Sequence, residues 1–115
     1  MLISPYEVET FNQTCLTEKE IAEDVFNDLS EDEKDYLRSK TEGELIIFHH
    51  NQNRWIRNHY QLWHPEHPYT QIGVDVRDGV DYSPNHPDEY SGRVTKIVWE
   101  MCHNEFSQLH NEGVA

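Results

Sequence analysis

Residues 48–63 read as one amphipathic helix that carries the side chains best suited to chemistry. The polar residues of interest among its aromatic positions are His49, His50, Arg57, Asn58 and His59. Imidazoles can transfer protons or bind metals, and a guanidinium group can hold an anion. A helix that only filled a core would not need these groups. The segment therefore predicts either a hydrogen-bonded network or a ligand site.

The spacing of the histidines argues against a metal site. Two histidines that share an ion on a helix are four residues apart, as in HExxH, whereas the adjacent His49 and His50 point about 100° apart. His64 and His67 are three residues apart in a proline-rich segment, but two ligands do not complete a zinc site. We therefore expect no metal and no cofactor.

Motifs for nucleophilic catalysis are missing from the sequence. It contains neither a GxSxG elbow nor a glycine-rich phosphate loop, and the adjacent Cys102 and His103 would point apart on a helix. Cys15 and Cys102 are isolated thiols, which we expect to be buried and free. We predict no catalytic residues and favour a non-enzymatic protein.

Arg57 has a structural interpretation as well as a functional one. A buried arginine is costly unless it is paired, and Asp88 and Glu89 are the candidate partners. We expect Arg57 to clamp the central loop against the last helix. The alternative is that Arg57 is presented in a groove to an anionic ligand.

Capping boxes predict where three helices begin. In each box a hydroxyl and a carboxylate reciprocally satisfy two backbone N–H groups. The boxes are Thr17-Glu18-Lys19-Glu20, Ser30-Glu31-Asp32-Glu33 and Thr41-Glu42-Gly43-Glu44. They predict helices over about residues 18–29, 31–38 and 42–63, the last ended by Pro65.

The rest of the chain predicts a long loop and one more helix. Residues 64–86 hold prolines and glycines without a helical period, and Asp78-Gly79 favours a small hairpin within residues 72–82, an ordered irregular loop being the alternative. Pro87 and the acids beside it start a helix over about 87–109. At 115 residues, the chain is expected to form one compact all-α domain of three or four helices with a long crossover loop.

The net charge of −13 is the strongest bulk property. It disfavours direct binding to nucleic acid or to an anionic membrane, and it favours either solubility alone or a basic partner surface. The candidate partner-binding acids on the first two helices are Glu23, Asp24, Asp28, Glu31, Asp32 and Asp35. Tyr69 and Tyr82 in the loop are candidate anchors. Residues 1–10 contain Glu7 and Glu9 and lack a signal-peptide pattern, so we expect a cytoplasmic protein.

Two boxes resemble a small uncharacterised domain family of bacteria and their phages. They are Phe48-His49 … Trp55-Ile56-Arg57-Asn58 … Leu62-Trp63 and His86-Pro87-Asp88 … Ser91 … Ile97-Val98-Trp99-Glu100. The similarity spans about residues 29–101. This chain has Gln52-Asn53 where the family often has Leu-Gly. The resemblance implies a compact helical fold with a framework of Arg57, Asn58, Trp63 and Asp88, and it implies no activity.

These observations predict an acidic inhibitor or regulator that binds a basic surface of a protein partner. The partner could be a nucleic-acid-binding protein, with the acids imitating nucleic-acid charge and the gene carried by a phage. One alternative is a small ligand-binding or hydrolytic domain, built from His49, His50, Arg57, His59 and the loop of residues 64–85. A third possibility is a purely structural or oligomeric role, with an apolar face of the last helix as the contact.

Overall fold

The computed structural model describes residues 10–112, with side chains for residues 10–106. Residues 1–9, whose composition argues against a signal peptide, lie outside the described residues, as do residues 113–115. The described chain is mostly helical, with four α-helices, one 3-10 helix and a two-stranded hairpin. The predicted mostly helical class is confirmed, although the number of helices differs.

The first two helices begin where their capping boxes predict. Helix α1 spans Glu18–Asp28 and helix α2 spans Glu31–Arg38. In both boxes the hydroxyl accepts from the backbone N–H three residues on, and the glutamate accepts from the backbone N–H of the cap. These backbone N–H donors hold the pKa values of Glu20 and Glu33 below their usual range. Local sequence therefore determines both helix starts.

The predicted continuous helix over residues 42–63 is wrong. Residues Glu42–Phe48 form a 3-10 helix, and a separate helix α3 spans Gln52–His59. Asn51 breaks the run: its φ is −120° and its ψ is −88°, and its side chain accepts from the backbone N–H of Gln52 at 2.5 Å. Asparagine is favoured at the N-cap, so a new helix begins after it. The apolar period of the sequence continues across this position and therefore does not reveal the break.

Helix α3 also ends before Pro65, which corrects the predicted stop. Gln61 takes a left-handed φ of 52°, and the N–H of Leu62 bonds back to the carbonyl of Arg57 at 3.0 Å. This is a Schellman ending in which glutamine stands where glycine is usual. The side-chain amide of Gln61 binds the segment that precedes α1. It donates to the Thr10 carbonyl and accepts from the Asn12 N–H, both at 3.1 Å.

The predicted hairpin is present, although it is very short. Strands β1 (Val76–Arg77) and β2 (Val80–Asp81) pair antiparallel. Asp78 and Gly79 between them have φ values of 51° and 76°, as a tight hairpin turn requires. The other residues between α3 and α4 form turns and irregular segments.

Helix α4, Pro87–Glu112, is the central element, and α1, α2, α3 and the 3-10 helix all pack on it. It extends beyond the predicted end at residue 109. The fully or nearly buried core comprises Ile21, Ala22, Val25, Leu37, Phe48, Ile56, Tyr60, Leu62, Tyr90, Val94, Val98 and Cys102. A buried hydrogen bond from Thr95 to Asn53 joins α4 to α3. Of the two thiols, Cys102 is buried as expected, whereas Cys15 is only half-buried, and both are free.

No helix in the described part of the chain has the length and apolar content that crossing a membrane requires.

Candidate functional site

An open groove of about 820 Å³ lies between α1, α2 and the segment from the 3-10 helix to α3. We call it the α1–α3 groove. Its apolar lining residues are Val25, Leu29, Tyr36, Leu37, Phe48 and Trp55. Its polar lining residues are Asp28, Asp32, Glu33, Asn51 and Gln52. Its volume lies in the range of about 300–1,000 Å³ that binding pockets occupy.

The break in the predicted long helix shapes this groove. Asn51 ends the 3-10 segment and restarts the chain as α3, and both Asn51 and Gln52 line the groove. Phe48 before the break is buried, whereas Trp55 after it keeps 47% of its surface exposed. The Trp55 ring stacks on His59 with centroids 4.5 Å apart. A half-exposed tryptophan held in this way is suited to contact a partner.

Acids occupy the groove lining without opposing charges in it. Asp28 ends α1, while Asp32 and Glu33 lie in the first turn of α2. Among the described residues that line the groove, none is lysine or arginine. Lys40 lies close by, with its ammonium 4.9 Å from the centroid of the Tyr36 ring.

The structure separates the six predicted partner-binding acids into different environments. All six are exposed on α1 and α2, but only Asp28 and Asp32 line the groove. Asp35 forms an ion pair with Arg38, and Glu31 lies 3.7 Å from the ammonium of Lys34. Those two carboxylates are therefore partly neutralised within the molecule.

Asp24 has a structural partner. Its carboxylate accepts a 2.5 Å hydrogen bond from the hydroxyl of Tyr60, whose ring is buried. Burial, and then this hydrogen bond, raise the pKa of Tyr60 far above its usual range. Asp24 thus ties α1 to the end of α3 while it remains exposed to solvent.

The position of Asp28 predicts a local cost in stability. A carboxylate at the last residue of a helix faces the negative end of the helix dipole, which is unfavourable by about 0.3–1 kcal/mol. We expect Asp28→Asn to raise the free energy of unfolding by about 0.5 kcal/mol, measured by urea denaturation. Glu23→Gln, an exposed mid-helix change of equal charge, is the matched control and should raise it less. A destabilised D28N variant would contradict this account.

Arg57 is buried at the junction of α3 and α4, as the structural interpretation predicts. Its guanidinium donates to the Ser91 hydroxyl at 3.2 Å and to the His49 carbonyl at 3.1 Å. Its Nε lies 3.5 Å from a carboxylate oxygen of Asp88. Ser91 in turn donates to the Asp88 carbonyl at 3.1 Å. The predicted pairing with Asp88 is confirmed. These partners lie in α4 and at the end of the 3-10 helix, so Arg57 joins α3 to those elements and not to the central loop, which corrects that part of the prediction.

The sequence also groups four other residues with Arg57, namely His49, Asn58, His59 and Trp63. Asn58 and His59 are exposed, and His49 contributes its carbonyl rather than its imidazole. Trp63 is 53% exposed and meets the ring of His86 edge-on, with centroids 5.1 Å apart. Trp63 therefore packs on the loop that leads into α4.

The histidines of the alternative ligand site contact neighbouring rings. His49 and His50 pack edge to face on each other, and His59 stacks on Trp55. None of these three histidines lines the α1–α3 groove. Across the residues the structure describes, no group of three or more His, Cys, Asp or Glu side chains is placed to hold a metal.

His67 has a structural role that the sequence did not suggest. It is fully buried, and its Nδ1 accepts from the backbone N–H groups of Tyr69 and Thr70, each at 3.2 Å. Accepting at Nδ1 requires that nitrogen to be unprotonated. Burial, and then the neighbouring His64, lower the pKa of His67. The neutral imidazole therefore organises the turn that follows it.

This geometry predicts a loss of stability in mild acid. When the pH falls below the ordinary histidine pKa of about 6.5, His67 binds a proton in the unfolded chain but stays neutral in the folded chain. Stability should therefore fall by up to about 1.4 kcal/mol per pH unit below pH 6.5, until the lowered folded-state pKa is reached. Urea denaturation at several pH values should show a weaker dependence for His67→Asn, whose side-chain oxygen can accept both bonds. The exposed control His59→Asn should retain the wild-type dependence, and equal dependence in all three proteins would refute the role of His67.

The two predicted tyrosine anchors do not line the α1–α3 groove. Tyr69 is 38% exposed and lines a smaller cavity with Ile72 and Asn85. Tyr82 is 55% exposed beside the hairpin, with the Arg77 guanidinium 4.6 Å from its ring centroid. The aromatic residues at the groove are instead Tyr36, Phe48 and Trp55. Sequence periodicity marks these three only as apolar helix positions, so it offers no signal that they share a cavity.

Comparisons of the chain with protein-family models, with curated proteins and with solved structures give no match.

Proposed function

We propose that this protein is an acidic interaction protein that binds a basic surface of a protein partner and thereby inhibits or regulates it. The observation that carries the proposal is the α1–α3 groove, where Asp28, Asp32 and Glu33 lie beside an apolar surface. Carboxylates attract a basic partner over a distance, whereas apolar contacts supply affinity once water is excluded.

The overall charge supports the same interpretation. A net charge of −13 over 115 residues produces a negative field that speeds association with a basic surface and repels nucleic acid. Three exposed acids of α1 and α2, namely Asp28, Asp32 and Glu33, bring part of this charge to the groove. A partner that normally binds nucleic acid through the same basic surface would be blocked by competition.

The proposal is tested by affinity capture from bacterial lysate with two matched variants. The first replaces the six predicted acids by their amides: E23Q, D24N, D28N, E31Q, D32N and D35N. The control removes six acids of the described chain, all at least partly exposed and outside α1 and α2: E42Q, E66Q, D75N, D78N, E89Q and E100Q. Both variants lower the negative charge equally, so net charge alone cannot explain a difference between them.

We expect wild-type protein and the control to retain a stoichiometric basic partner at low salt and to release it at high salt. The first variant should retain much less of it. If both variants capture the partner equally well, the proposed acidic face is not the binding surface. Circular dichroism on each variant checks that the amides have not unfolded α1 or α2.

A further inference from the structure

We infer that the α1–α3 groove binds an amphipathic basic helix of the partner, with apolar side chains in the groove and Lys or Arg side chains along its acidic rim. This inference rests on the proposed function and names the form of the partner segment. It is carried by the lining of the groove, by the charge around it and by the type of backbone that forms it.

The lining indicates apolar anchors. Val25, Leu37 and Phe48 are each no more than 4% exposed and form part of the core. Above them Tyr36 and Trp55 remain 53% and 47% exposed. Two large aromatic side chains left half in water at the side of an open groove leave apolar area that a partner can bury.

The charge of the groove determines which partner fits. Asp28, Asp32 and Glu33 line it, and no basic residue does so among the described lining residues. A second copy of the chain would bring the same carboxylates face to face, which is unfavourable. Residues 1–9 contain Glu7 and Glu9 without any lysine or arginine, so their sequence does not complement the groove either. A basic segment from another protein does.

The backbone around the groove favours a helix over an extended strand. A bound strand gains affinity from main-chain hydrogen bonds to a sheet edge. This groove is formed by α1, α2, the 3-10 helix and α3, whose backbone groups bond largely within their own helices. A helical ligand satisfies its own backbone and presents only side chains, with anchors at steps of three and four residues.

The test uses a synthetic fluorescent peptide of about 16 residues with leucines on one helical face and lysines beside them. A second peptide of identical composition has its leucines scrambled, so that it keeps the charge without an apolar face. Binding of both peptides is measured by fluorescence anisotropy to wild-type protein and to variants that each keep the core intact.

Two variants remove groove contacts, and two are their controls. W55A removes the half-exposed tryptophan, and its control W63A removes a tryptophan of similar exposure that does not line the groove. D28N/D32N/E33Q removes the rim charge, and E66Q/D78N/E89Q removes the same charge elsewhere. The E33Q change leaves α2 capped, since glutamine also serves in a capping box.

We expect the amphipathic peptide to bind wild-type protein at least about tenfold more tightly than the scrambled peptide. W55A and the rim variant should each weaken binding about tenfold, whereas both controls should leave it within about twofold. Lys40→Gln should strengthen binding slightly, because it removes the ammonium beside Tyr36.

Equal binding of the two peptides, or full binding by W55A, would overturn the inference. The capture experiment would in that case still decide the proposed function, because its variants change only acidic positions and leave the aromatic side chains of the groove intact. A concentration-dependent dimer that W55A abolishes would also overturn the inference, since the groove would then hold a second copy. Sedimentation of wild-type protein and W55A at the assay concentrations detects this outcome.

Discussion

Replacing Arg57 with methionine is expected to lower the free energy of unfolding by about 3 kcal/mol, because two hydrogen bonds from a charged donor are lost at about 1.5 kcal/mol each. These bonds reach the Ser91 hydroxyl and the His49 carbonyl from a side chain that is only 8% exposed. Methionine keeps much of the buried aliphatic stem, so the measured loss reports chiefly on the polar contacts. The contact with Asp88 adds little, since that carboxylate is 41% exposed.

The control for this change lies three residues earlier in the same helix. Arg54 is exposed on α3, and Arg54→Met should change the free energy of unfolding by less than about 0.5 kcal/mol. Urea denaturation of the two variants and the wild-type protein gives the comparison directly. An Arg57→Met variant as stable as Arg54→Met would show that the buried guanidinium does not hold α3 and α4 together.

The second large effect concerns binding. Changing the six acids of α1 and α2 to amides should weaken binding of the captured partner by about 100-fold at low salt, taking roughly 0.5 kcal/mol for each charge. Asp28 and Asp32, which line the groove, should contribute most. Glu31 and Asp35 should contribute least because Lys34 and Arg38 already offset them.

Single amides measure these contributions separately. Asp32→Asn should weaken binding clearly, whereas Asp35→Asn should leave the Kd nearly unchanged. Asp28→Asn should weaken binding while it stabilises the fold, because the same carboxylate opposes the dipole of α1. Equal effects at all six positions would indicate a diffuse field instead of a site centred on the groove.

Local signals in the sequence predict the helix starts better than the helix ends. The boxes at Thr17 and Ser30 act through residues three positions away, so α1 and α2 begin as expected. The break at Asn51 and the left-handed Gln61 interrupt the helix, although the apolar period of the sequence continues across both positions. Gln61 is held by Thr10 and Asn12, contacts about 50 residues away along the chain, which periodicity cannot reveal.

The sequence predicted acids that line the candidate site, but it did not predict the groove itself. Acids on first turns and on polar helix faces are exposed by pattern, which identified Asp28 and Asp32. The groove exists because α1, α2 and α3 each pack on α4, which places Tyr36 and Trp55 at one shared surface. That arrangement depends on tertiary packing around α4. The partner of Arg57, by contrast, followed from the high cost of burying an unpaired charge.

The most direct test of the proposed function is a calorimetric titration of the purified partner with wild-type protein and the six-amide variant, from about 50 to about 300 mM salt. The proposal predicts that wild-type affinity falls steeply with salt, and that the variant binds weakly at low salt with a much flatter dependence. The same Kd and the same salt dependence for both proteins would contradict it, because the acidic face would then play no part in binding.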